Sequence, residues 1–320
     1  MGGRAGHTCG SRLSVSHCRE PLNRNEELLE LAIDFTREDW PSRAAARFAR
    51  STLPIAEEGT MRLDSSTAAV VTGAASGLGK ATAQALAAGG AKIAIFDINE
   101  DIGAAAAKEI GGLFCKVDIR SEESVLAGFA EARAAHGQER VLVHCAVTAK
   151  AGKTVSEDRK TGQLRRFSTE DYAFCADVIA TASYRVASIS ALGMASLEPL
   201  EDGERGVITL TASVAAQEAQ VGQVAYGSLK AAVNGLVLPM ARDLMDFGIR
   251  VNSIMPGIFA TPPLLAVPAN VLDELNASVP FPKRLGKPEE FASLVLELVR
   301  NSYFNGQNIR LDGAIRMAPK

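Results

Sequence analysis

Aromatic residues are scarce in this 320-residue chain, at 5% of the total. The 47% apolar content is therefore carried mainly by alanine, valine, leucine and isoleucine, a mix that suits tightly layered helices and strands. Long apolar runs are also missing, since none approaches the roughly 18 residues a membrane-spanning helix needs. There is no excess of positive charge. The formal net charge of −3 gives no electrostatic case for nucleic acid. The five cysteines (9, 18, 115, 145 and 175) are odd in number and form no CxxC pair. That fits free thiols in a reducing compartment, and a cytoplasmic location is expected. One further absence matters below: no asparagine occurs between Asn99 and Asn234.

Residues 1–60 differ from the rest. "MGGRAGHTCGSRLSVSHCRE" lacks the apolar stretch of a secretory signal, and the acids from Glu20 onward argue against a transit peptide. "NEELLELAIDFTREDW" has the apolar spacing of one amphipathic helix, and Pro41 and Pro54 then break the pattern. The spacing of His7, Cys9, His17 and Cys18 matches no familiar metal site, and no metal is expected. "MRLDSSTAAVV" at Met61 reads as the natural beginning of a protein. The expected organisation is a loosely structured N-terminal extension over 1–60 and a single domain over 61–320.

From residue 67 the pattern becomes regular. Strand-like runs ("TAAVVTGAA", "KIAIFDIN", "LFCKVDI", "RVLVHCAVT", "GVITLTASV", "RVNSIMPG", "NGQNIRLDG") alternate with helical ones. Two long helices are expected over 168–196 and 223–247. Near-continuous apolar strands alternating with helices predict a mainly parallel sheet of about seven strands, covered on both faces. This is the doubly wound α/β arrangement of a Rossmann fold, whose ligands lie beyond the carboxyl ends of the strands.

The first strand runs into "TGAASGLG", with Gly73, Gly77 and Gly79 between a strand and a helix. Without Cβ they let the backbone turn sharply and approach a pyrophosphate closely. The helix N-terminus then offers N–H groups and positive potential to the anion. Asp97 ends the second strand. A carboxylate there accepts hydrogen bonds from both ribose hydroxyls of NAD and repels the 2′-phosphate of NADP, and no arginine adjoins it, so NAD is the expected cofactor. Asp118, with Ile119 beside it, ends the third strand, where it could meet the adenine edge.

In "TASVAAQEAQVGQVAYGSLK", Tyr226 and Lys230 are four apart on a helix and share a face. Ser213 lies at the end of the preceding strand, on the ligand side of the sheet. A free tyrosine titrates near roughly 10, too high for a base at neutral pH. A neighbouring ammonium lowers that value. A drop of about 3 units needs roughly 4 kcal/mol of differential stabilisation. Tyr226 would then take a hydroxyl proton while hydride leaves for the cofactor. Ser213 would hold the substrate oxygen, and Lys230 would also bind the nicotinamide ribose.

TGxxxGxG together with Ser…YxxxK resembles the short-chain dehydrogenase/reductases over about residues 65–318. "TASVAAQEAQVGQVAY", "LPMARDLMDFGIRVNSIMPGIFATPPLL", "VPFPKRLGKPEEFA" and "FNGQNIRLDGAIRM" look most like the type 2 3-hydroxyacyl-CoA dehydrogenases, also called type 10 17β-hydroxysteroid dehydrogenases. The resemblance implies an NAD-dependent homotetramer that oxidises 3-hydroxyacyl-CoA and other secondary alcohols, hydroxysteroids among them. It implies a cofactor site built from Gly73, Ser76, Gly77, Leu78, Gly79, Asp97, Asp118, Ile119, Cys145, Ala146, Tyr226, Lys230 and Thr261, with Thr261 on the nicotinamide carboxamide. Residues 258–272 would form a mobile lid over an apolar substrate. "KAGKTVSEDRKTGQLRR" carries six basic and two acidic residues and would meet the CoA phosphates or remain a solvated loop.

The pattern also departs from the family. Its NNAG or NCAG turn appears here as "HCAV", with His144 replacing an asparagine that ties strands together and Val147 replacing a glycine beside the cofactor. Val147 would crowd the ribose, or be strained if φ were positive. The family's catalytic asparagine on the long helix aligns with Asp177, whose charge would raise the Tyr226 pKa. Gly227 stands where a serine is usual and can admit close packing. These changes raise a second reading, a dehydrogenase scaffold that has lost turnover and serves as a binding or assembly partner. The intact Ser213, Tyr226, Lys230, Asp97 and three turn glycines argue against it.

Overall fold

The computed structural model describes residues 61–319. The helix expected near residue 30 and the His/Cys group at 7–18 lie outside them.

The apolar runs become strands because alternate side chains have a hydrophobic layer on either side. β1 (Ala68–Thr72) shows this: Val70 faces one core cluster, while Ala69 and Val71 face the other. The chain continues through α1 (Gly77–Ala88), β2 (Lys92–Asp97), α2 (Glu100–Ile110), β3 (Leu113–Lys116), α3 (Glu122–His136) and β4 (Val141–His144). Side-chain caps start α2 and α3: Asn99 accepts from the Ile102 N–H, and Ser121 from the Ser124 N–H.

After β4 the polar insertion folds into an antiparallel hairpin, β5 (Val155–Glu157) with β6 (Leu164–Arg166). Composition had suggested a loop. Its turn is set by Asp158, whose carboxylate accepts from the Lys160 and Thr161 N–H groups at 3.0 Å. The helix expected over 168–196 is α4 (Thr169–Ala176) and α5 (Ala182–Met194), joined without a break by a π turn at Asp177–Thr181.

β7 (Gly206–Thr211), α6 (Ala215–Glu218), α7 (Val224–Asp243) and β8 (Ile249–Pro256) follow. Then come α8 (Pro262–Leu265), α9 (Ala269–Ser278), α10 (Pro288–Arg300) and β9 (Asn308–Leu311). α6 packs on α7 so closely that a Cβ on Gly227 would lie 2.4 Å from the Ala219 Cβ and 2.8 Å from the Ala215 carbonyl oxygen. Glycine at 227 is therefore a packing requirement of this chain.

The seven-stranded sheet has the order β3-β2-β1-β4-β7-β8-β9, with every pair parallel. The expected doubly wound Rossmann fold is thus present, and its sheet is wholly parallel. The order reverses between β1 and β4, which opens a crevice at their carboxyl ends. The turn after β1 and the turn after β4 meet there in backbone contact. A Cβ on Gly73 (φ 64°) would fall 2.6 Å from the Ala146 backbone, so no other residue fits.

Candidate active site

A cavity of about 870 Å3 opens along the carboxyl edge of the sheet, from Asp97 and Asp118 at one end to Ser213, Tyr226 and Lys230 at the other. Its middle is the glycine turn. Gly73, Ser76, Gly77, Leu78 and Gly79 all line it, as do Ile119, Cys145, Ala146 and Thr261. α1 starts here with no side-chain cap on its first turn and no acid within it. Its leading N–H groups are thus left for an anion supplied from the cavity. Gly79 is held against Gly73, where a Cβ would meet the Gly73 carbonyl oxygen at 2.3 Å. Gly77 (φ 56°) has only the Thr261 and Pro262 side chains opposite it, at 3.4 Å and beyond. The cradle suits the pyrophosphate of a dinucleotide.

Asp97 is fixed at the end of β2. Its carboxylate accepts from the Ala75 N–H and the Asn99 N–H, both at 3.0 Å. Asp118 lies two residues past the end of β3, and its carboxylate is taken by its own neighbour. Arg120 donates Nε to Oδ1 at 3.2 Å and Nη2 to Oδ2 at 2.8 Å. The guanidinium holds the Asp118 carboxyl below its ordinary range. Arg120 also lines the cavity, a feature the sequence reading missed because no arginine adjoins Asp97 in the chain.

At the opposite end, Lys230 is buried and donates from Nζ to the Thr211 carbonyl oxygen. Burial pushes its pKa down to about 8. Nζ stands 5.8 Å from the centre of the Tyr226 ring. Burial raises the Tyr226 phenol above its ordinary value, and a hydrogen bond with Ser213 offsets part of that rise. Desolvation thus outweighs the lowering at this phenol. Ser213 Oγ accepts from the Ala215 N–H at 3.1 Å, which orients the hydroxyl. Cys145 beside them is pushed up to about 11 by burial, so it stays a thiol.

The structure does not bring Asp177 to this site. Its carboxylate meets Arg185 Nη2 at 3.3 Å, and its neighbour Val178 lines the cavity instead. The expected rise in the Tyr226 pKa is present, but its cause is burial and not the charge of Asp177. The feared strain at Val147 is absent. Its φ is not positive, and the side chain is 45% exposed on the cavity wall.

His144 takes over the tie between strands. Thr72 Oγ1 accepts from the Cys145 and Ala146 N–H groups at 3.2 and 3.1 Å, so its own proton points to His144 Nδ1 at 2.8 Å. Burial, with Lys230 adding to it, holds the imidazole pKa down to about 3. The unfolded chain therefore takes up this proton first as pH falls below about 6.5, and stability drains away from there toward pH 3. The loss at pH 5 is about 2 kcal/mol from this group. His144→Asn should keep the tie and lose that part of the acid sensitivity, read as urea midpoints at pH 7.5 and 5. Parallel losses in both proteins would refute it.

A family model described as Enoyl-(Acyl carrier protein) reductase matches residues 73–315. With the glycine turn and the Ser213–Tyr226–Lys230 group in one cavity, the chain belongs to the short-chain dehydrogenase/reductases, oxidoreductases that use a nicotinamide cofactor. It is 45% identical over 253 residues to the 3-hydroxyacyl-CoA dehydrogenase type-2 of Homo sapiens, covering 78% of this chain and 95% of that one. The protein of the same name from Drosophila melanogaster is 44% identical over 252 residues, with 78% and 97% covered. Among solved structures, the 3-hydroxyacyl-CoA dehydrogenase type-2 of Mycobacterium avium is 39% identical with a TM-score of 0.76, and the match covers 82% of this chain and all of that one.

Proposed function

We propose that the chain catalyses the reversible, NAD-dependent oxidation of a 3-hydroxyacyl-CoA to the 3-oxoacyl-CoA. The observation that carries this reading is one continuous cavity holding a glycine cradle, a ribose-binding carboxylate and Ser213, Tyr226 and Lys230, in a chain similar to dehydrogenases of that name.

NAD when bound supplies the hydride acceptor and a positive charge beside Tyr226. The cradle of Gly73, Gly77 and Gly79 and the first turn of α1 hold the pyrophosphate. Asp97 receives the ribose hydroxyls, and its fixed negative charge disfavours a 2′-phosphate there. Arg120, a cavity-lining cation that could offset that charge, is occupied by Asp118. Thr261 is assigned to the carboxamide end.

Ser213 donates to the substrate oxygen as charge develops on it. Tyr226 exchanges a proton with that same oxygen. The raised phenol is a ready donor for ketone reduction. Alcohol oxidation needs the phenolate, which the charges of Lys230 and the bound cofactor favour. Oxidation is therefore expected to gain with alkaline pH. The apolar wall of Pro262, Pro263, Leu264 and Leu275 suits the acyl chain. Lys150, at the start of the basic insertion, reaches the cavity and leads toward Lys153, Arg159, Lys160, Arg165 and Arg166 for the CoA phosphates. That basic run favours a thioester over a hydroxysteroid, the alternative substrate for the same apolar wall.

A homotetramer in a reducing, cytoplasm-like compartment completes the proposal. The free thiols Cys115, Cys145 and Cys175 are compatible with such a compartment, and light scattering of the full chain tests the assembly. The direct test of function is NADH formation from 3-hydroxybutyryl-CoA across neutral to alkaline pH, with NADP as the competing cofactor. Tight NAD binding with no turnover on acyl-CoA or steroid alcohols would replace the enzyme with the scaffold reading.

A further inference from the structure

Asp177 was singled out by the sequence and has no part in the chemistry. Its surroundings suggest another use. Arg185, two turns further along the same helix, is mostly covered, with 15% of its side chain exposed. Its guanidinium spans two elements. Nη2 meets Asp177 Oδ1 at 3.3 Å, and Nη1 donates to the Ile119 carbonyl oxygen at 2.7 Å. Ile119 lies between Asp118 and Arg120, and all three line the far end of the cavity. The same short segment is gripped from a second side, because the Arg120 guanidinium stands 5.7 Å from the centre of the Phe174 ring on α4. Asp118, Arg120, Asp177 and Arg185 form a patch of alternating charge in which Asp118 also feels Arg185, and Arg120 feels Asp177.

The topology says which half of a dinucleotide this end receives. The pyrophosphate belongs at the first turn of α1, in the middle of the cavity. Hydride transfer requires the nicotinamide beside Tyr226, beyond β7. The adenosine half must therefore extend the other way, past β2 to the residues after β3. We propose that Arg185, braced by Asp177, is a positioning residue for cofactor binding: it holds the 118–120 segment as the wall against which the adenosine half seats. The arrangement rests on the dinucleotide reading above. It also gives Asp177 a purpose, since a carboxylate next to the cavity-lining Val178 keeps Arg185 aimed at Ile119.

The test compares wild type, Arg185→Met and Asp177→Asn as full chains. Binding of 5′-AMP and of nicotinamide mononucleotide is followed by calorimetry, NADH binding by fluorescence, and turnover alongside. Loss of a charged hydrogen bond to the wall should weaken 5′-AMP and NADH by about tenfold or more in Arg185→Met. Nicotinamide mononucleotide affinity and kcat should hold, so the KM for NAD rises alone. Asp177→Asn keeps an acceptor for Arg185 and should fall between the two. If Arg185→Met weakens both half-ligands equally, or lowers kcat with 5′-AMP affinity intact, the positioning role is wrong. If Arg185→Met does not fold, an Asp177→Asn protein with wild-type 5′-AMP affinity overturns the bracing. If wild type itself binds neither NADH nor 5′-AMP, the dinucleotide reading fails first.

Discussion

Tyr226→Phe is expected to lower kcat about a thousandfold in both directions while NADH still binds. The ring is partly buried on α7 and lines the cavity, and phenylalanine keeps its shape, so the fold and the cofactor cradle should be undisturbed. What disappears is the only phenolic proton in the cavity lining. Ser213 remains and still donates to the substrate oxygen, but it cannot deliver or remove the net proton that accompanies hydride transfer. The pH profile carries a second part of the prediction. Because burial raises the phenol, wild-type oxidation should climb toward alkaline pH and reduction should not. In Tyr226→Phe the residual rate should lose that climb. Asp177→Asn should retain it, since the rise at Tyr226 owes nothing to Asp177. Stopped-flow rates for both directions over a pH series decide this. A variant within a few-fold of wild type would remove Tyr226 from the chemistry.

Lys230→Met should abolish most turnover and also change how stability depends on pH. Lys230 is 3% exposed, and burial moves its pKa from 10.5 to about 8. The unfolded lysine keeps its proton up to its ordinary value, while the folded one releases it from about pH 8 upward. Between those values the unfolded state holds more protons, so wild-type stability rises with pH across that window. Below it the buried charge costs about 3 kcal/mol. The variant has no such proton. The unfolding free energy of wild type minus that of Lys230→Met should therefore rise by about 2 kcal/mol between pH 7 and pH 10. Methionine also leaves the Thr211 carbonyl without its donor, a pH-independent loss of about 1–3 kcal/mol. The slope is thus the informative quantity. A flat difference from urea titrations would mean that the folded Lys230 keeps its proton up to its ordinary value, with no depression by burial.

Periodicity alone made the seven strands and their helices legible, because a parallel sheet covered on both faces writes itself as short apolar runs. The glycine turn and Asp97 were readable for a similar reason. Sharp backbone turns need glycine, and the carboxylate stands at a strand end that the alternation locates. Ser213, Tyr226 and Lys230 were readable because a strand end and a four-residue helical spacing converge on one edge of the sheet. The hairpin β5–β6 was hidden, since its strands are short, exposed and polar and bury no face that would impose an alternation.

Asp177 shows what spacing cannot decide. A helix brings every residue near the site once per turn, but which residue faces the cavity depends on how the helix rolls. Here the π turn and the pull of Arg185 turn Asp177 away and leave Val178 on the wall. The balance at Tyr226 was likewise out of reach. The sequence names the lysine that would lower the phenol, whereas the burial that raises it is a property of packed layers. By itself the sequence determined the fold, the cradle and the reacting trio, all of which depend on local backbone needs and period. Only the tertiary structure decided which charges face the cavity, because burial and side-chain direction arise when the helices settle onto the sheet.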